Sequence, residues 1–309
     1  MRKIYFIISL FCLILALGAG CNKTDLTPAY IYITEDDVNN RVDISTFNAD
    51  HDLYYDEEQL NSLQQHSFTH VNVYVNNKNL GCWQLPCKVP VLDVNGKDSS
   101  KLVIIPCFRK TGMSVTIKGY PFFDVLQQKI MLKRGETYNV SENPLSFRYS
   151  KYSHFPFHET FANSSSFSPI DTAEAHSFYP TVIDDRQVGE IVLNAGEKFD
   201  VISTAAILPI YNYTVYLEIT YKTESNIDIG LKMSTGQYPN TVHQIGGIYE
   251  SGGEWKTIYF DLSSVLMGYH YTGGSSTSAN IVLTGSGKNV SAPTHFYIDN
   301  IKIVYQPSA

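Results

Sequence analysis

Two tyrosine-bearing runs carry the clearest binding chemistry in the chain. Tyr211 and Tyr213 lie in Pro209-Ile210-Tyr211-Asn212-Tyr213. Tyr269, His270 and Tyr271 lie in Gly268-Tyr269-His270-Tyr271-Thr272-Gly273-Gly274, and Tyr238 stands before Pro239. Pro, Gly and Asn mark these runs as loops. A flat aromatic face covers the C–H surface of a sugar ring, while amides and imidazoles pair with hydroxyls. Asn212, Asn240 and His270 stand beside the rings, so this composition suits a saccharide. The same tyrosines can also pack on the protein that carries them, and both readings stay open at this stage. Trp255 opens an alternating run, Trp255-Lys256-Thr257-Ile258-Tyr259-Phe260, and is expected in the core.

Catalytic patterns find little support. His154 and His158 lie four apart beside Glu159, but the spacing is not that of a metalloprotease helix, and the segment reads as a strand. There is no Gly-x-Ser-x-Gly elbow and no phosphate loop. Glycoside hydrolysis needs two carboxylates across a cleft. Glu218, Asp228, Glu254 and Asp261 are instead spread along alternating strands, the pattern of a solvated outer face. The chain is expected not to be an enzyme.

The elements that must hold these loops are strands. The chain has 309 residues, 43% hydrophobic and only 17% charged, with 22 Tyr and 16 Phe, enough apolar material for about two β-rich domains. A net charge of -7 argues against nucleic acid, which needs a basic face. In the first half His70-Val71-Asn72-Val73-Tyr74-Val75 alternates with period two, and strands follow near 80–83, 101–106, 113–117, 127–132 and 137–140. In the second half strands are expected at 189–193, 198–203, 214–222, 227–233, 254–262, 279–284 and 294–305. A short helix is expected at 57–65. The fold class is all-β, with a small sandwich followed by a two-sheet jelly roll.

The amino terminus reads as an export signal. Met1-Arg2-Lys3 is basic, Ile4 to Gly18 is an uncharged apolar run, and Leu17-Gly18-Ala19-Gly20-Cys21 follows. Cys21 after Ala-Gly resembles a bacterial lipobox, although Leu17 sits one place upstream of the usual position. The resemblance implies cleavage before Cys21, acyl chains on Cys21, and a membrane attachment without a spanning helix. Asn22 in place of Asp favours the outer membrane, at the cell surface of a Gram-negative bacterium. An ordinary signal peptide or an uncleaved anchor is the competing reading. Cys82, Cys87 and Cys107 remain, an odd number, either as one disulfide with one thiol or as three buried thiols.

Two further resemblances organise the rest. Val73 to Gly81, Leu85-Pro86, Leu92 to Gly96 and Gly119-Tyr120 resemble PEGA-type immunoglobulin-like surface domains, and with Tyr120-Pro121-Phe122-Phe123 they resemble the first half of Bacteroidetes-type surface lipoproteins. Phe157-His158-Glu159-Thr160-Phe161, Glu254 to Ser263 and Thr294 to Ile303 resemble carbohydrate-binding-module jelly rolls with a galactose-binding-like fold. That resemblance places the first and last strands side by side. It also implies a structural Ca²⁺ held by Glu159 and Asp299, with Asp171 as a further carboxylate toward the six to eight oxygens Ca²⁺ takes.

The expected organisation is a signal peptide at 1–20, a lipidated Cys21 and tether at 21–45, and an immunoglobulin-like sandwich at 46–140. A linker at 141–153 and a jelly roll at 154–306 complete it. The leading functional expectation is non-catalytic glycan binding through Tyr211, Tyr213, Tyr238, Tyr269, His270 and Tyr271. The alternatives are a structural lipoprotein that meets an outer-membrane protein partner and, less favoured, a glycan hydrolase.

Overall fold

Alternating apolar residues become strands wherever one face can be buried, and twenty strands form among the described residues. In the computed structural model the described residues are 27–308, apart from 95, 97, 111–115, 172–175, 235–240 and 271–274. Tyr238 and Tyr271 therefore lie outside the described residues, as does Cys21.

The first module holds β1 (Ala29–Ile33), β2 (His70–Val75), β3 (Lys78–Gln84), β4 (Cys87–Val91), β5 (Ser100–Arg109), β6 (Ile117–Gly119), β7 (Gln128–Ile130) and β8 (Thr137–Asn139). One sheet runs β4-β1-β8, and the other runs β3-β2-β5-β6 with β7 also on β5. Ile31, Val73 and Leu102 meet between them with no exposed surface. Three short helices, α1 (Asp36–Asn39), α2 (Phe47–His51) and α3 (Glu57–Ser62), close one end. Asp56 and Gln59 cap α3 reciprocally, each side chain accepting the other's backbone N–H.

Two boundaries differ from expectation. The segment taken as a tether from 21 to 45 is built into the sandwich from Ala29 onward. β1 pairs antiparallel with β4 and parallel with β8, and Val38 and Val42 enter the core. The segment taken as a linker from 141 to 153 also packs into that core through Leu145, Phe147 and Tyr149. These three alternate in burial along an extended path, and Phe147 and Tyr149 make single bridges to Val42 and Phe123.

The second module holds β9 (His154–Glu159), β10 (Phe167–Pro169), β11 (Tyr179–Ile183), β12 (Arg186–Leu193), β13 (Lys198–Ser203) and β14 (Ala206–Pro209). It continues with β15 (Tyr213–Thr223), β16 (Ile227–Met233), β17 (Val242–Ile248), β18 (Lys256–Asp261), α4 (Ser263–Met267), β19 (Ser276–Ser286) and β20 (Thr294–Pro307). One sheet runs β10-β13-β19-β16-β17 with β14 on β19; the other runs β11-β12-β20-β15-β18 with β9 on β20. All these pairings are antiparallel. The first and last strands, β9 and β20, do lie side by side. Phe199, Ile219, Leu231 and Phe296 fill the space between the sheets. The fold class is all-β.

The outer face of β15, β18 and β20 is not solvated along its whole length. Tyr216, Tyr259 and Val304 project from it into the first module's core. Lys110 pairs with Asp261 at 2.9 Å across the same seam. Glu218, expected on a solvated face, is fully buried there. The Tyr120 hydroxyl donates to its carboxylate at 2.6 Å, and Lys302 lies 3.3 Å away. Burial pushes the Glu218 carboxyl up against the pull of Lys302. His66 sits in the same seam between the Tyr149 and Tyr259 hydroxyls, at 3.1 and 3.2 Å, and burial drives its imidazole well below its usual range. Of the other three carboxylates expected outside, Asp228 and Glu254 are exposed.

Candidate ligand-binding cleft

The loop between β14 and β15 is shaped by three consecutive residues with different tasks. Ile210 is buried and anchors the turn. Asn212 takes φ 59°, the left-handed region that Asn tolerates, and its carbonyl accepts the Ser308 N–H at 2.9 Å. Tyr211, between them, is turned outward and is 55% exposed. Its ring stacks on His270, with centroids 4.0 Å apart and planes 16° from parallel. Tyr213 meets Tyr305 edge to face at 5.6 Å, and Tyr305 stacks in turn on His154 at 4.9 Å.

Tyr211, Tyr213, His270 and Tyr305 wall an open cleft of ≈ 380 Å³ together with Ile207, Pro209, Ser275 and Ser276. Three of the six residues expected to bind, Tyr211, Tyr213 and His270, thus come together. The cleft offers apolar and aromatic walls with hydroxyls and an imidazole at the rim, a composition suited to a ligand with both C–H and O–H surface. Tyr305 and Ile207 belong to it and were not foreseen. Tyr305 reads as one more residue of an alternating strand, and only the pairing of Tyr213 with Pro307 brings the start of β15 to the end of β20.

Tyr269 does not join the cleft. It is only 7% exposed, its hydroxyl bonds to His243 Nε2, and its ring packs in the second core with Leu262 and Leu266. Tyr269 is thus committed to the core and His243, while the adjacent His270 stacks on Tyr211 in the cleft. Trp255 departs from expectation in the other direction. It is half-buried at the surface rather than in the core, and its indole N–H donates to Asp184 at 3.0 Å.

The solved structures that the chain resembles are carbohydrate-binding modules. A family 29 carbohydrate-binding module from Piromyces equi matches at 11% identity, covering 51% of this chain and 91% of the module, with a TM-score of 0.28. The CBM22-1 and GH10 modules of a Clostridium thermocellum endo-1,4-beta-D-xylanase, complexed with xylohexaose, match at 8% identity, covering 48% of this chain and 28% of that one, with a TM-score of 0.34. No protein-family model and no curated protein matches. At these scores the likeness carries no argument about the ligand, which has to come from the residues themselves.

The residues assigned to calcium do not fit the ion. Glu159 spends one oxygen on the Phe161 N–H at 2.6 Å and the other on the Ser166 N–H at 2.5 Å. Those bonds hold Phe161 at φ 56°, a costly conformation for an aromatic residue. Asp299 is bonded to Arg186 at 2.6 Å. Asp171 is exposed. Both Glu159 oxygens and Asp299 Oδ2 thus already have N–H or guanidinium partners, and among the described residues no three acidic, His or Cys side chains form a metal-holding group. His158 is half-buried with Nε2 on the Ser62 hydroxyl at 2.7 Å, and His154 stacks on Tyr305, so the two histidines are committed separately.

Proposed function

We propose that the protein is a lipid-anchored, non-catalytic surface protein that captures a saccharide in the Tyr211–His270 cleft. The observation that carries the saccharide assignment is the exposed Tyr211 ring, pre-stacked on His270 at the mouth of a cleft walled by Tyr213 and Tyr305. Ordering an exposed ring costs side-chain entropy on binding, and a ring already stacked has lost most of it beforehand. The serine hydroxyls and the imidazole supply the polar partners that fix a sugar's orientation.

The anchor is the acylated Cys21 of the sequence Leu17-Gly18-Ala19-Gly20-Cys21, which would hold the two modules at the outer membrane. Incorporation of labelled fatty acid, lost in Cys21→Ser, tests that part. For the cleft, residues 22–309 would be screened on a glycan array. Selective binding that is lost in Tyr211→Ala, with folding unchanged, supports the reading. A blank array on folded protein, or binding indifferent to Tyr211→Ala, removes it.

A further inference from the structure

A second cleft lies on the seam between the modules. It has a volume of ≈ 270 Å³ and is lined by residues of both. The first module contributes the carboxamides of Asn40, Asn61, Gln64 and Gln65. The second contributes Trp255 and Arg186. The volume is near the lower end of ligand clefts, about 300 Å³.

The walls are held by interactions that cross the seam. β11 and β12 are joined by Asp184 and Asp185, both with positive φ (52° and 61°), a tight two-residue turn. This turn brings Asp184 to the Trp255 indole N–H, at 3.0 Å, and Arg186 over the Trp255 ring, at 5.2 Å. Arg186 Nη1 donates to Asp299 at 2.6 Å and to Gln65 Oε1 at 3.2 Å. Gln65 Oε1 also accepts from Asn300 at 3.0 Å. Thr257 bonds to Thr220 at 3.0 Å and to Ser67 at 3.4 Å. The aromatic residue, the guanidinium and Gln65 are thus positioned before any ligand arrives.

The chemistry of the lining selects the ligand. Carboxamides and hydroxyls both donate and accept, which matches an array of hydroxyls whose hydrogens can turn either way. Arg186 is neutralised by Asp299, and the turn's Asp184 is paired with Lys222 at 2.9 Å, while the exposed Lys256 also lines the cleft and adds a cation to its wall. One exposed ammonium falls short of the several cations that a nucleic-acid backbone needs. We infer that this seam cleft is a second binding site, for a saccharide of about one sugar ring, assembled only when the two modules are docked. It is separate from the Tyr211 cleft and does not depend on it.

The test uses the whole mature chain. Trp83 and Trp255 are its two tryptophans, so Trp83→Phe leaves Trp255 as the reporter. In a Trp83→Phe, Tyr211→Ala background, which disables the other cleft, Trp255 emission would be titrated with glucose, galactose, mannose, xylose and N-acetylglucosamine. Saturable change with one or more of these sugars is expected, weakened roughly tenfold by Asn61→Ala or Gln64→Ala. Thermal unfolding of the same proteins shows whether the substitutions disturb the fold. Emission unmoved by all five sugars, or moved equally in the Asn61→Ala and Gln64→Ala variants, overturns the proposal. A Trp255 response that persists with Tyr211→Ala separates this site from the first, whatever the array shows for that one.

Discussion

Glu218 and Lys302 stand opposite each other on β15 and β20, 3.3 Å apart, and neither side chain has any exposed surface. The pair lies where the first module covers the second module's sheet, with the Tyr120 hydroxyl as the carboxylate's other partner. Two charges in such a place cost desolvation, and each is tolerable only because the other is there.

The two single variants should therefore be worse than the double. Glu218→Leu or Lys302→Met alone leaves a buried unpaired charge and is expected to cost about 3–5 kcal/mol. Glu218→Leu with Lys302→Met is expected to recover most of that loss. Chemical denaturation of the three variants measures it, and an additive double variant would contradict the coupling.

Acid sensitivity should trace to buried imidazoles. Burial, with Lys302 nearby, lowers the His158 pKa to about 3, and the His66 pKa is also driven far down. Both histidines are neutral in the native protein, whereas in the unfolded chain they gain protons below about 6.5. Their contribution is thus fully present above that pH and is lost as pH falls from about 6.5 toward 3. Each histidine adds a slope of about 1.4 kcal/mol per pH unit in that window. Stability measured from pH 7 to 4 should show this slope, and His158→Gln should remove one proton's share of it.

Tyr211 and Tyr269 should separate binding from stability. Tyr211→Ala removes an exposed ring and is expected to shift stability by under about 0.5 kcal/mol while removing the glycan retention that the Tyr211 cleft provides. Tyr269→Ala empties a packed position and is expected to cost about 3 kcal/mol. Unfolding curves and glycan retention on the same two proteins check both halves.

The three cysteines should differ in reactivity. Cys82 is exposed, while Cys87 and Cys107 are buried and none is in a disulfide. Burial pushes the Cys87 thiol up to about 11 and the Cys107 thiol up to about 12, leaving almost no thiolate at neutral pH. Iodoacetamide at pH 7.5 is expected to label Cys82 first and the other two only after denaturation, as peptide mass spectrometry would show.

Much of the architecture was legible along the chain because strand burial writes itself in period two. His70–Val75, Lys198–Ser203 and Ile227–Met233 were readable to the residue for that reason. The Tyr211 loop was also readable, since Pro209, Asn212 and clustered tyrosines name a turn with aromatic content. Short strands such as β10 and β14 were not, because three or four residues hold too little periodicity to register.

Sequence alone determined which residues alternate, hence that Glu218 and Lys302 share an outward face of their sheet. It could not determine what that face meets, because the pattern of a strand facing water is the same as that of a strand facing a second module with compensating charges. Tertiary structure decided that half of the face is sealed, that Trp255 and Arg186 border a cleft on the seam, and that Tyr213 meets Tyr305. Those relationships join residues up to 235 positions apart, as Gln65 and Asn300 are. Their energies depend on distance and desolvation, which local spacing does not encode.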